Sequence, residues 1–385
     1  MQLRLVRPCG VAALALALPA GLAAQGRVAE QRLEKPDAEF QESFDQVTAL
    51  RELPGGKVLL VDLGPKALIM ADFKSGTQTT IGRNGQGPGE YQFPGALIPY
   101  PGDSTLLVDL VSRRLLTVSA DGKLGKTIPY PEAIQGLAQP KGADRQGRIY
   151  LQGSAFRVGD GDGSGAIPDS APVVRWDRAT NRLDTLIKVK IPATKVQRTG
   201  TSNARVVMMR PQPFAPQDEW VVTTDGRVGI ARVADYHVEW IGDRPAKGPP
   251  VAIQPIKVGD GDKQAFMDAI KNSRNRITIN NGGPGRGGQE IKPPEPSADE
   301  FDWPEYKPPF RGRSAVASPE GQMWVQRSAT ASDSVPAFDV FDASGNLTRR
   351  VFLPKGRQLV GLGNGTVYAV RTDEDGLQWL ERYRR

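Results

Sequence analysis

The chain has 385 residues, with 50 Lys and Arg against 43 Asp and Glu for a net charge of +7. An excess this small does not specify a nucleic-acid partner. The single cysteine, Cys9, and the single histidine, His237, exclude a disulfide framework and argue against a His-ligated metal, a Ser-His-Asp triad and a Cys-His pair.

Residues 1–24 read as a secretory signal peptide. Arg4 and Arg7 precede the apolar run Val11-Ala-Ala-Leu-Ala-Leu-Ala-Leu18, and Pro19 with small residues up to Ala24 follows it. The run is well short of the roughly 20 residues that a spanning helix needs, so no transmembrane segment is expected in the mature chain. Cys9 stands before the run, whereas an acylated cysteine would follow it. The expectation is an exported protein, periplasmic or secreted, in which residues 25–385 form one domain.

Beyond the leader one phrase recurs: Gly or Asp, a polar residue, then apolar or aromatic residues. It reads Gly56-Lys-Val-Leu-Leu, Asp103-Ser-Thr-Leu-Leu, Gly147-Arg-Ile-Tyr-Leu, Gly226-Arg-Val-Gly-Ile, Gly321-Gln-Met-Trp-Val and Gly365-Thr-Val-Tyr-Ala. Successive copies lie 47, 44, 79, 95 and 44 residues apart, so three intervals fit one four-stranded blade and two fit a blade with an insertion. The first two copies also share Leu59-Leu-Val-Asp-Leu63 and Leu106-Leu-Val-Asp-Leu110. The period predicts an all-β chain, a six-bladed β-propeller of four-stranded antiparallel blades.

In the second blade, period-2 alternation predicts strands over 95–101, 105–109, 114–118 and 123–128. Tight-turn signals, Pro101-Gly-Asp103 and Ser119-Ala-Asp-Gly122, part the first strand from the second and the third from the fourth, and both recur in other blades. If strands A to D alternate in direction, these turns share one end of the ring, and the long links 82–95, 157–170, 192–214 and 259–313 share the other. One face is then plain and the other decorated. A ligand site is expected on the decorated face, because binding residues concentrate on loops held by a rigid scaffold. The last repeat shows only three strands, so the segment 27–34 is expected to supply the fourth and close the ring. The insertion 259–313, between blades four and five, is expected to hold a helix over 263–276 N-capped by Asp262, followed by a Gly- and Pro-rich stretch.

Three segments, Gly82-Arg-Asn-Gly-Gln-Gly-Pro-Gly-Glu-Tyr-Gln-Phe-Pro94, Asp225-Gly-Arg-Val-Gly-Ile230 with Tyr236 and Trp240, and Lys307-Pro-Pro-Phe310 ahead of Gly321-Gln-Met-Trp-Val325, carry a resemblance. The chain resembles a group of exported bacterial six-bladed propellers with NHL-like blades in the TolB-like superfamily, over about residues 30 to 385. The resemblance implies the fold and no catalytic residue.

The glycines of 82–94 allow positive φ and exposed amides that could cradle an anion beside Arg83 and Glu90, while the plainer reading is a rigid inter-blade link. Asp160-Gly-Asp162-Gly places oxygens at alternate positions as a calcium loop begins, but Ala171 occupies the twelfth position, so Asp160 and Asp162 are weak metal candidates and no cofactor is assigned. Phe73, Trp176, Trp240, Phe341 and Trp379 recur at blade spacing in C strands and read as inter-blade packing. A calcium-dependent lactonase-like hydrolase is the alternative function, and it would need acids converging from the inner strands. Those strands carry only Glu52, Glu219, Asp225 and Glu320, of which Glu219 alone starts its strand at the decorated end.

Charge marks that face as well. Lys195, Arg198, Arg205 and Arg210 fall in the 192–214 link, and an acidic block, Glu295, Asp299, Glu300, Asp302 and Glu305, follows in the insertion. These cations suit an anionic glycan or an acidic envelope protein, unless the acidic block neutralises them. The reading is a non-catalytic exported binding or interaction propeller of the cell envelope. Because the stretch from Asn281 to Pro309 has too little apolar surface to offset its ordering entropy, limited proteolysis is expected to cut first at Arg286; protection of that bond in the free protein would show the segment packed.

Overall fold

The structure is a computed structural model that describes residues 28–131, 134, 140–153, 168–201, 204–275, 297–333 and 335–385, with the side chains of 195–211 and 272–275 outside the description. The signal peptide, Asp160 and Asp162, Glu295 and the Arg286 bond fall outside these residues.

Six antiparallel sheets follow one another along the chain. Blade one is Val47–Glu52, Lys57–Asp62, Ala67–Asp72 and Thr77–Ile81; blade two is Pro94–Pro99, Thr105–Asp109, Arg114–Val118 and Leu124–Pro129. Blade three is Pro140–Ala143, Ile149–Gln152, Ser170–Asp177 and Arg182–Lys190, and blade four is Glu219–Val222, Val228–Arg232, His237–Ile241 and Ala246–Lys247. Blade five is Val316–Ala317, Met323–Gln326, Ala337–Phe341 and Leu347–Phe352. Blade six supplies Arg357–Gly363, Thr366–Thr372 and Gln378–Arg384. The inner strands touch one another in cyclic order, blade one meeting both two and six, so the ring is closed.

Alternation along the B strands explains why both faces of a blade are apolar. In blade one, Leu59 and Val61 turn toward Leu107, Leu116 and Val118 of blade two, while Val58 and Leu60 turn toward Tyr368, Val370 and Leu380 of blade six. Each sheet is sandwiched between two others, so its central strands read as continuous apolar runs. The same division repeats at every interface, for example Trp240 against Met323, Val325 and Phe341 between blades four and five. Full burial of each such side chain contributes roughly 1.5–3 kcal/mol. Trp240, expected as packing, also donates Nε1–H to the Asp342 carbonyl of the next blade at 2.8 Å.

The repeated Leu-Leu-Val-Asp-Leu has a reason that hydropathy does not supply. Asp62 ends strand B of blade one, buried, and accepts hydrogen bonds from the Gln46 and Asp45 amides at 2.8 and 3.1 Å, just before strand A. Asp109 ends strand B of blade two and accepts from the Phe93 amide at 3.1 Å, the Gln92 amide, and Arg114 Nε at 3.2 Å. In both blades a buried carboxylate fastens the incoming link to the sheet. Burial works to raise the Asp109 carboxyl, but its donors outweigh burial and hold it below the ordinary carboxylate value.

Closure is N-terminal, as expected, but the closing residues differ. Ala29–Arg32 runs parallel to Leu347–Phe352 as a fifth, outermost strand of blade five. The fourth strand of blade six is Ala38–Glu39, antiparallel to Gln378–Arg384, extended by Phe40 N to Leu380 O and Phe44 N to Gln378 O at 2.8 Å each. The N-terminal segment is long enough to serve two blades, and the buried Leu33 on one side of the crossing and Phe40 and Phe44 on the other seat each piece against its own interface. The helix also departs from expectation: it spans Asp260–Asn275, so Asp262 lies inside its first turn rather than at the N-cap. A chain that begins at residue 36 loses only the outer parallel strand and is expected to keep a cooperative transition at a modestly lower Tm. A chain that begins at residue 46 is expected to aggregate. Equal Tm for the two in a thermal melt would show that closure does not depend on 37–44.

Candidate functional site

Among the described residues the elaborations of the ring emerge at the end where strands A begin and strands B finish. The link after blade one forms a short parallel pair, Arg83–Asn84 with Glu90–Tyr91. The Glu90 carboxylate accepts from the Gly87 amide at 2.8 Å and from Arg83 Nε at 2.7 Å. A Cβ at Gly85 would lie 2.1 Å from Glu90 Oε2, so this position must be glycine for the carboxylate to sit over the loop. The Gly87 amide first, then Arg83, holds Glu90 below the ordinary carboxylate value. The link thus carries its own anion, while the Arg83 side chain stays 81% exposed.

The link after blade three is a hairpin, Thr194–Thr201 with Ala204–Pro211. Its register sets Lys195 opposite Arg210, Arg198 opposite Val207 and Arg205 opposite Gly200. The four cations belong to one hairpin at the decorated end.

The insertion packs against the foot of that hairpin. Phe266 of the helix meets Trp303 and Phe301 edge-on at 5.5 and 5.4 Å between centroids, and Phe214 lies against Phe266 and Trp303 at 6.0 and 6.3 Å. Asp262, 5% exposed, pairs with Lys307 at 2.7 Å and accepts from the Ala331 amide at 2.7 Å. Lys307 also lies 5.1 Å over the Phe214 ring. A charge pair removed from water is strongly destabilising to break, so it fixes the start of the helix to the body. Of the acidic block, Glu300 accepts from the Ser297 amide at 3.0 Å, its own capping turn.

At the channel mouth one carboxylate gathers three blades. Glu219, the first residue of strand A in blade four, is 2% exposed. It accepts from the Arg313, Ser314 and Ala315 amides, which lead into blade five, and from Gln217 Nε2 at 2.7 Å. Lys141 of blade three approaches it at 3.8 Å and lies 5.0 Å over the Trp220 ring. Asp218 beside it holds the Lys190 and Val233 amides at 2.9 Å each and Arg232 Nη1 at 2.8 Å. The other inner-strand acids serve the plain end: Glu52 accepts from Tyr368 and Thr366, Asp225 from Thr223 and Arg227, and Glu320 from Arg385.

His237, buried at the start of its strand, pairs through Nδ1 with Asp235 at 2.6 Å. Among the described residues no three His, Cys, Asp or Glu side chains converge as metal ligands. The residues at the mouth do not fit a calcium centre, since Glu219 is the one acid of the inner strands there and spends its oxygens on amides. No motif marks Lys141 or Arg313 in the sequence; the one local signal is the position of Lys141 between Pro140 and Gly142. A shallow recess of about 310 Å³ on the outer edge of blade four, lined by Glu239, Trp240 and Lys247, is away from the mouth.

The topology and these links define a six-bladed β-propeller with one elaborated face. No protein-family model matches the chain, and no curated sequence matches it. Among solved structures it is similar to a Bacteroides fragilis protein described as exported, at 12% identity over 93% of this chain and 98% of that one, TM-score 0.48. It is also similar to a member of the DUF4221 family from Bacteroides vulgatus, at 8% identity over 91% and 97%, TM-score 0.48. A gluconolactonase from Xanthomonas campestris aligns at 11% identity over 93% and 98%, TM-score 0.43. Likenesses this distant carry no argument about activity. Among the described residues no helix is long and apolar enough to cross a membrane.

Glu219 is the test of the mouth. Glu219→Ala leaves three backbone amides without their acceptor and is expected to cost on the order of 3 kcal/mol in urea unfolding, with Glu219→Gln milder because one acceptor oxygen remains. Wild-type stability in the Ala variant would show that 311–315 is held by other contacts.

Proposed function

We propose that this chain is an exported, non-catalytic binding or interaction propeller of the cell envelope, with its ligand site on the face formed by links 82–95, 157–170, 192–214 and 259–313. The observation that carries the reading is the one-sidedness of the ring: the hairpin, the helix with its aromatic cluster and the glycine loop all rise from one end, while the turns of the other end are tight. The leader-like layout of residues 1–24 supports export.

The ligand is anionic envelope material, a glycan or an acidic envelope protein, met by Lys195, Arg198, Arg205 and Arg210 of one link and by Arg83 and Glu90 of the link 82–95. Arginine suits carboxylate and phosphate groups because its planar fork binds them through two parallel bonds. Binding by exposed cations is weak and salt-sensitive, screened over about 10 Å at roughly 0.1 M salt. The alternative is a calcium-dependent lactonase-like hydrolase, which needs tight metal at the mouth, so a calorimetric calcium titration separates the two readings.

Replacing Arg198, Arg205 and Arg210 together by Ala is expected to weaken binding of an anionic glycan at low salt while the melting temperature holds. Lost stability without lost binding would mean that these side chains serve the fold. Wild-type protein that binds no anionic glycan, phosphate polymer or acidic partner at low salt would overturn the reading.

A further inference from the structure

We infer that Lys141 and Arg313 form an oxyanion seat at the mouth of the channel, which receives a carboxylate or phosphate group of the ligand bound by the decorated face. The inference rests on that reading of the face and adds the place where the charged group ends up.

Strand geometry aims Lys141. The pairing of strands A and B in blade three slips between Pro140, opposite Leu151, and Gly142, opposite Tyr150, so Lys141 is the extra residue of a β-bulge. Bulges re-aim a side chain and recur beside functional sites. Strand A slips likewise in blades one, two and six, at Thr48, at Gly95 and Ala96, and at Val360. Lys141 is the one charged residue among these positions. The Lys141 side chain remains 36% exposed although inner strands surround it, as expected of a group standing in a channel.

Charge at the mouth does not balance. Among the described residues Glu219 is the one carboxylate that acts on Lys141, and Arg313 acts on it with the opposite sign and less strongly. Two cations share one acid there, and the oxygens of that acid already take four neutral donors. Among the described residues no carboxylate lies within ion-pair distance of Arg313. Loss of hydration beside the inner strands pushes the Lys141 ammonium down, Glu219 works against it, and Arg313 adds the smallest push down. An incoming oxyanion would be a second counter-charge for the two cations, beside the one Glu219 supplies.

Backbone strain marks the same place. Arg313 has φ +59°, in the left-handed region that side chains other than Gly and Asn rarely adopt. Its amide is held there by Glu219, so the carboxylate that cannot itself meet a ligand positions one cation directly and lies beside the other. Strain of this kind persists only where surrounding bonds over-determine it, and it clusters at ligand clamps. Two cations on either side of one engaged carboxylate suit a single anionic group, such as the end of a chain, rather than a run of charges.

The test is calorimetric titration of the full chain, at low salt, with a short oligogalacturonate, its methyl ester and inorganic phosphate. Wild type is expected to bind oligogalacturonate or phosphate and not the ester. Lys141→Met and Arg313→Gly are each expected to weaken binding by about tenfold or more, as loss of a charge-assisted bond implies. Arg313→Gly also relieves the positive φ, so its Tm is expected to hold or rise. Binding of phosphate but not oligogalacturonate, with the same dependence on Lys141, would assign the seat to a phosphate-bearing ligand. Both variants binding as wild type, while the triple Ala variant of the hairpin does not, would overturn the seat and leave the decorated face standing. A fall in Tm for Arg313→Gly with unchanged binding would also overturn it, because the guanidinium would then be engaged within the protein. No binding by wild type would remove both readings together.

Discussion

Buried carboxylates on backbone amides are the constraint on which this propeller depends. A ring of sandwiched sheets gains its stability from apolar interfaces, but those interfaces say nothing about how the chain passes from one blade to the next. At each crossing the amides leave the ladder of the finished sheet before they enter the next, and an amide taken from water without a partner is costly. Asp62, Asp109, Asp218 and Glu219 meet that need at the decorated end. Each is itself satisfied by several donors, which makes burial of a negative charge tolerable. The links are therefore held as firmly as the strands at their roots, whatever they do farther out.

That arrangement separates scaffold from surface. Where a carboxylate holds the root of a link, the rest of the link can lengthen into a hairpin, a glycine loop or a helix without disturbing the sheets. The helix repeats the device at a smaller scale through Asp262 and Lys307. Among the described residues the long links rise from one end of the ring.

The fold was legible because its physical requirements repeat. Positive φ at Gly56, Gly147, Gly226, Gly321 and Gly365 recurs in the turns that open the B strands, and the runs between turns are apolar on both faces. The expected closing segment, 27–34, lies a few residues before the observed strand, since 29–32 and 38–39 both look like short polar-apolar strands and only Phe40 and Phe44, packing across the seam, decide between them. The site was far less legible. Glu219 was visible as an acid at the right end, but its role depends on amides from 94 to 96 residues away. Lys141 is aimed by a bulge, and a bulge is a disagreement between two strands rather than a property of one. The four hairpin cations form one cluster in the sequence, and their side chains lie outside the described residues.

The seam between the two ends of the chain has a consequence for how the molecule comes into being. Phe44 bridges to Gln378, and the Val47 amide donates to Gln378 Oε1 across 331 residues. Contacts so distant along the chain are slow to form, because the entropy of closing the loop is lost before the contact returns anything. A chain that emerges N-terminus first holds residues 37–44 unpaired until the last blade has been delivered. Five blades can assemble by local pairing, but the final lock must wait for the whole polypeptide. The ring then resists opening for the same reason, since no blade at the seam can leave without breaking partners drawn from both ends of the sequence.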